Sequence, residues 1–130
     1  MIERESEITG YKIYFRTSPS TWNFAPGTTL FPCLGFVLCK GGVGYEDLLW
    51  FPILSDETTP LPRPTSYFNT IINTLNGYMP IRMKDLPKIL DILRHEKPLT
   101  MFISEAVPDA NALVTPGFEP IGEGDVDLSP

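Results

Sequence analysis

The feature that most constrains the fold is an apolar stretch from Leu30 to Leu54, which a cluster of glycines divides into two halves: LFPCLGFVLCKGGVGYEDLLWFPIL. Each half has the length and apolar content of a strand, and the glycines between Gly41 and Gly44 tolerate the positive φ angles of a tight reversal. The stretch therefore predicts a β-hairpin around which the rest of the fold is arranged.

The length of the turn sets the register of this hairpin. If residues 41–44 form a four-residue loop, Val37 faces Leu48 and the indole of Trp50 covers Gly35. Successive side chains of a strand point to opposite faces, so one face carries Leu34, Phe36, Leu38, Leu49 and Phe51. The other face carries Cys33, Val37, Cys39, Leu48 and Trp50. A hairpin that is apolar on both faces is predicted to lie in the middle of a sheet.

Further segments have the patterns of regular elements. Residues 8–16, ITGYKIYFR, and residues 99–104, LTMFIS, read as strands. Residues 66–75 and 85–96 each place apolar residues at helical spacing behind a capping residue. Residues 78–83 are either a short edge strand or a loop. The prediction is an α+β fold: a single domain with a mainly antiparallel four- to five-stranded sheet and two helices packed on one face.

The composition of the chain changes after residue 105. Residues 1–105 are predicted to form the α+β core domain. Residues 106–130 are rich in Pro, Gly and acidic residues and end in EPIGEGDVDLSP, so we expect an extended C-terminal segment of the same domain. A chain of 130 residues has the size of one domain.

Charge and cysteine usage bear on the compartment and on the class of partner. The formal net charge of −6 argues against diffuse affinity for nucleic acid. No segment has the apolar length that crosses a bilayer, and the start, MIERESEITG, lacks the features of a signal peptide. Cys33 and Cys39 are roughly 20 Å apart in a straight strand, too far for a mutual disulfide. We therefore expect two buried free thiols in a cytoplasmic protein that makes no membrane contact.

No pattern of residues predicts a catalytic, cofactor or metal site. His95 is the only histidine and cannot complete a zinc set with two separated thiols. Its place in the last turn of a helix predicts a surface cap, and a small enzyme that uses His95 stays as an alternative. KGGVG lacks the GKS or GKT ending of a phosphate loop. Glu46 and Asp47 point to opposite faces of their strand, so we expect both to be solvated beside the turn.

Protein binding is the function that the sequence favours, and the first candidate contacts are aromatic. Trp22 and Phe24 lie in residues 17–29, whose Ser, Thr, Pro and Gly content predicts a loop. Such rings can anchor a partner, or they can fold back onto the sheet. Arg63 lies in SDETTPLPRP, which favours a polyproline II run. That run can dock in an aromatic groove or act as a stiff connector.

Basic residues of the second predicted helix provide the remaining candidates. Lys84 and Lys88 lie on its polar face, where they can contact a protein partner. With Arg82 and Lys97 they can also form a local nucleic-acid face, although the interleaved acids are more typical of a solvated helix. The prediction is a small cytoplasmic, non-enzymatic adaptor or accessory protein that uses no cofactor. The alternative from another class is a nucleic-acid-binding module, and no pattern indicates an oligomeric state.

Overall fold

A computed structural model of the protein describes residues 1–23, 30–57 and 60–115. Its strands are β1 (Glu3–Asn23), β2 (Leu30–Gly41), β3 (Glu46–Leu54), β4 (Thr65–Asn69), β5 (Thr74–Tyr78), β6 (Ile81–Arg82), β7 (Thr100–Ser104) and β8 (Ala112–Val114). The helix α1 (Leu86–His95) directly follows a 3₁₀ turn, Met83–Asp85, and a second 3₁₀ turn, Pro108–Ala110, precedes β8.

The eight strands form one mixed, curled sheet in the order β4-β5-β3-β2-β1-β7-β8, with β6 beside the end of β3. β3 pairs in parallel with β5 and β6, and the other neighbours are antiparallel. The predicted α+β fold, with four or five mainly antiparallel strands and two helices on one face, is therefore wrong. The described residues contain more strands, parallel pairings and one α-helix, which is too short to cross a membrane.

The segment predicted as the first helix is the hairpin of β4 and β5. The side-chain oxygen of Asn69 accepts hydrogen bonds from the backbone amides two and three residues further on, at 3.1 and 3.4 Å. Asn73 adopts a φ of 53°, a left-handed conformation that asparagine tolerates. The chain therefore reverses, so that Phe68 and Leu75 pair across the hairpin and Ile71 is exposed at its tip.

Other predicted elements are confirmed at the predicted residues, but the strands do not always pair as expected. The central hairpin is β2 and β3, the second predicted helix is α1, and the last predicted strand is β7. Within residues 78–83, Ile81–Arg82 form β6. β7 pairs with β1 rather than with β6, so no parallel βαβ unit forms. Residues 17–23, predicted as loop, belong to β1.

The register of the central hairpin differs from the prediction by three residues. Val37 lies opposite Phe51, and Gly35 lies opposite Ile53. Trp50 therefore does not cover Gly35. An odd shift changes which faces of the two strands coincide, and the buried face now carries Cys33, Val37, Cys39, Leu49, Phe51 and Ile53.

Gly35 is required by the neighbouring strand and not by an aromatic cover. Its φ is 153°, and a Cβ at this position would lie 1.9 Å from the carbonyl oxygen of Tyr14 in β1. The close approach of the two backbones thus excludes any larger residue.

The core lies between the curled sheet and α1. Leu86 and Leu93 of the helix pack against a buried cluster that includes Leu75 of β5 and Met101 and Ile103 of β7. β5 and β7 approach each other although three strands separate them in the sheet order. At Gly77 of β5, an added Cβ would lie 3.0 Å from the side chain of Ile103.

A buried polar contact joins β1 to β3. Asp47 is 1% exposed, and its two carboxylate oxygens accept hydrogen bonds from Arg4 Nη1 at 3.1 Å and from Ser6 Oγ at 2.5 Å. Arg4 Nη2 also donates to Asn73 Oδ1 at 2.6 Å in the turn before β5. The expectation that Asp47 is solvated is therefore wrong. Its neighbour Glu46 lies on the other face, where it pairs with Lys40 at 3.1 Å.

A second polar seam joins β4 to β7. The side-chain oxygen of Asn111 accepts a hydrogen bond from the backbone amide of Ser104 at 2.9 Å, and its nitrogen donates to Ser66 Oγ at 3.0 Å. Asn111 is 3% exposed. This buried amide therefore helps to hold the β4–β5 hairpin over β7.

We expect Asp47→Ala to lower the free energy of unfolding by about 3 kcal/mol, because it leaves the guanidinium of Arg4 without its buried counter-ion. Glu46→Ala is the matched control: it removes an adjacent carboxylate from an exposed pair and should cost less than about 1 kcal/mol. Urea denaturation followed by Trp fluorescence measures both. Equal losses in the two variants would show that the buried pair does not stabilise the fold.

The two cysteines are buried free thiols, as predicted. Burial raises the pKa of Cys33 to about 11 and that of Cys39 to about 12, from 9.0. The thiolate is the reactive form, so neither thiol should react with an aromatic disulfide reagent at pH 8 in the folded chain. Both should react at once in guanidinium chloride. Rapid labelling of the folded chain would contradict the burial of these side chains.

Candidate functional site

The two edges of strand β1 pair with neighbouring strands over different lengths. Residues 3–7 pair with β7 on one edge, and the last hydrogen bond there runs from the amide of Ile8 to the carbonyl oxygen of Leu99, at 2.8 Å. β2 pairs with the opposite edge from Ile8 onward. Among the described strands, none pairs with the β7 side of β1 beyond this point. We call residues 10–15 on this side the open edge.

Irregularities in the pairing with β2 bound the open edge at both ends. The register shifts between Ile8 and Gly10, and again between Phe15 and Ser20, where Pro19 interrupts the strand. Between these points β1 runs in regular register with β2. Six residues are the length of an average strand, so the open edge is long enough to pair with one further strand.

Three apolar side chains of the open edge are exposed on the face that elsewhere forms the core. Tyr11 is 38% exposed, Ile13 is 43% exposed and Phe15 is 48% exposed. They lie opposite buried residues of β2. The face of the sheet that forms the core therefore continues from β2 onto β1, but the side chains of β1 on this face are only partly buried.

On the other face, a row of aromatic rings crosses four strands. Tyr14 stacks on Phe36 with ring centroids 5.3 Å apart, Phe36 meets Trp50 edge-on at 5.1 Å, and Trp50 stacks on Tyr78 at 6.1 Å. The indole nitrogen of Trp50 donates to Asn76 Oδ1 at 3.1 Å. Burial raises the pKa of Tyr78 to about 12, so its phenol is neutral at physiological pH. The rings are anchored to one another and form a rigid surface beside the open edge.

The charge near the open edge is opposite to that of the whole chain. Between Glu7 and Glu46 the charged residues are Lys12, Arg16 and Lys40, all basic, whereas the chain carries −6. Arg16 Nε donates to the hydroxyl of Tyr14 at 2.8 Å. Lys40 pairs with Glu46, so Lys12 and Arg16 are the basic side chains of β1 that have no carboxylate partner among the described ion pairs.

Two clefts meet at the start of the open edge. One, of about 400 Å³, lies between residues 7–11 of β1 and residues 93–99 at the end of α1. The other, of about 380 Å³, lies on the aromatic face and is lined by Leu38, Leu48 and Trp50 among others. Gly10 and Tyr11 border both clefts. A strand added here would find space for side chains on both of its faces.

The residues predicted to contact a partner lie on separate elements. The backbone of Trp22 is in β1 opposite Phe31, and Phe24 lies outside the described residues. Arg63 pairs with Asp109, an interaction that links the segment before β4 to the second 3₁₀ turn.

The two predicted lysines belong to the helical region. Lys84 is exposed in the first 3₁₀ turn, and its backbone amide donates to Asp56 Oδ1 at 2.9 Å. Lys88 is half-buried on α1. Neither lies on the open edge, and their role in binding stays a prediction.

His95, the residue of the enzyme alternative, and Ser104 lie on different elements, α1 and β7. His95 Nδ1 lies 2.7 Å from Asp91 Oδ1, one turn earlier on the exposed side of α1. Ser104 is buried and donates to Glu3 Oε1 at 2.9 Å. Within the ranges that the structure covers, no group of His, Cys, Asp and Glu side chains has the arrangement of a metal site.

We expect Ile13→Lys to lower the free energy of unfolding by no more than about 1 kcal/mol, because the side chain is 43% exposed and lysine keeps an aliphatic stem on the sheet. Val37→Ala, at the directly opposite and fully buried position of β2, should cost about 2 kcal/mol. Thermal and urea denaturation of the two variants provide the comparison. A large loss in Ile13→Lys would mean that this side chain is covered in the folded protein.

The alternation of KIYFR predicted the strand, but sequence reasoning missed its open edge. A usable signal was present, since the strand carries apolar residues on one face and Lys12 and Arg16 on the other, and no acidic residue occurs from Ile8 to Tyr45. No protein-family model, curated protein or solved structure matches this chain. The geometry of the chain itself therefore carries the functional argument.

Proposed function

We propose that the protein is a binding module that adds an extended segment of a partner protein to the open edge as a further strand. The observation that carries this proposal is the β7 side of β1 at residues 10–15, where no strand of the described residues pairs, together with the apolar side chains exposed there. Strand addition of this kind uses backbone hydrogen bonds for affinity and alternate side chains for specificity.

The exposed side chains of the open edge would add binding energy to that of the backbone hydrogen bonds with an added strand. Covering the accessible parts of Tyr11, Ile13 and Phe15 would contribute about 1 kcal/mol each. An uncovered apolar edge of this length is otherwise an aggregation risk that proteins usually avoid. A regular partner for this edge would remove that risk.

The aromatic face supports a protein partner better than a nucleic acid. Bases bind to open ring faces, whereas Tyr14 stacks on Phe36 and Trp50 stacks on Tyr78. The rings therefore use much of their stacking surface on one another. The net charge of −6 also argues against diffuse affinity for the densely charged backbone of a nucleic acid. Two free buried thiols support a reducing compartment such as the cytoplasm for this binding role.

Affinity capture from a lysate of the native source tests this function. The variant Ile13→Lys, Phe15→Lys places two charges on the open edge. We expect it to capture at least about tenfold less of the partner than the unmodified chain does. The control is Ile71→Lys, which changes an aliphatic residue that is 91% exposed at the tip of the β4–β5 hairpin.

Retention of the same proteins by the unmodified chain and the control, together with their loss from the double variant, would support the proposal. An identical set captured by all three chains would refute it. A Trp22→Ala, Phe24→Ala chain run in parallel tests the aromatic contacts that the sequence suggests. Loss of the partner from that variant alone would place the binding site near Trp22, at the C-terminal end of β1.

A further inference from the structure

We infer that the segment bound by the open edge is acidic, with carboxylate side chains that alternate with aliphatic ones. This inference rests on the proposed function and specifies the chemistry of the partner. It follows from the charges on one face of β1 and from the apolar side chains on the other.

The face of β1 that continues the aromatic row carries two basic side chains, Lys12 and Arg16. Lys12 forms no ion pair with any residue in the described ranges, and Arg16 bonds to the neutral hydroxyl of Tyr14. Four positions along a strand correspond to roughly 13 Å. Acidic side chains at alternate positions of an added strand would lie within reach of both cations.

The opposite face of the open edge selects apolar side chains. Tyr11, Ile13 and Phe15 share this face and are each at least 38% exposed. Aliphatic residues of an added strand would pack between them as cross-strand pairs. Since the two faces of a strand alternate, acid on one face and aliphatic on the other give an alternating sequence.

A second copy of this chain fits the open edge poorly. Antiparallel pairing of two such edges sets Lys12 opposite Lys12, Tyr14 or Arg16 of the other copy, depending on the register. In every case Lys12 and Arg16 of each copy, four cations in all, meet at the interface. No acidic residue occurs in either copy from Ile8 to Tyr45. Basic residues on an exposed edge commonly block self-pairing. The charge that opposes a second copy attracts an acidic strand.

Three fluorescein-labelled peptides test the inference on the full chain: alternating Glu and Val, alternating Lys and Val, and alternating Thr and Val. We expect the acidic peptide to bind at least about tenfold more tightly than the other two, measured by fluorescence anisotropy at low salt. Added salt should reduce this preference. Amide exchange should show new protection confined to residues 10–15 when the acidic peptide is bound.

Two variants with the same change in net charge identify the residue responsible. Lys12→Gln should sharply reduce the preference for the acidic peptide, whereas Ile71→Glu, at the exposed tip of the β4–β5 hairpin, should preserve it. Equal loss in both variants would attribute the preference to overall charge and would overturn the inference.

The remaining outcomes separate this inference from the proposed function. Equal affinity for all three peptides, with protection of residues 10–15, would overturn the acidic partner and leave strand addition intact. Absence of binding by the acidic peptide would also overturn it, and the capture experiment with Ile13→Lys, Phe15→Lys would decide on the edge itself. A dimer in sedimentation analysis that Ile13→Lys dissociates would replace the acidic partner by a second copy.

Discussion

The buried ion pair between Arg4 and Asp47 is the contact on which the shape of the sheet most depends. β2 lies between β1 and β3 and ends at Gly41, directly opposite Asp47. The ion pair joins β1 to β3 at that end of β2. The guanidinium also lies over the rings of Tyr45 and Phe68, with centroids 4.1 and 5.2 Å away. One side chain thus holds the start of β1 against β3, β4 and the turn between β2 and β3.

The open edge is a consequence of this arrangement and of strand length. β1 has 21 residues and β7 has five, so β7 pairs with the start of β1, and no strand of the described ranges pairs with the rest of that edge. The side chains exposed there are apolar on one face and basic on the other. In the proposed binding mode, Lys12 and Arg16 oppose pairing with a second copy by charge, and the same two residues attract an acidic partner.

Local patterns predicted the elements whose causes are local. The central hairpin, α1 and β7 follow from glycine placement, helical spacing and alternation, and each lies where the sequence placed it. The errors arise from partners distant in the chain. The backbone of Tyr14 fixes the environment of Gly35, Arg4 buries Asp47 from 43 positions away, and the short length of β7 opens the edge. The predicted first helix is an exception with a local signal, because the side chain of Asn69 accepts hydrogen bonds from the amides of the turn between β4 and β5.

Residue-resolved amide exchange of the isolated chain by NMR tests the open edge most directly. In an antiparallel pair, alternate residues direct their amides to the neighbouring strand and to the opposite side. We predict that protected amides, bonded to β2, alternate with rapidly exchanging ones between Gly10 and Phe15. Uniform protection of all six amides would show that another part of the molecule already covers this edge, and would contradict a binding role for it.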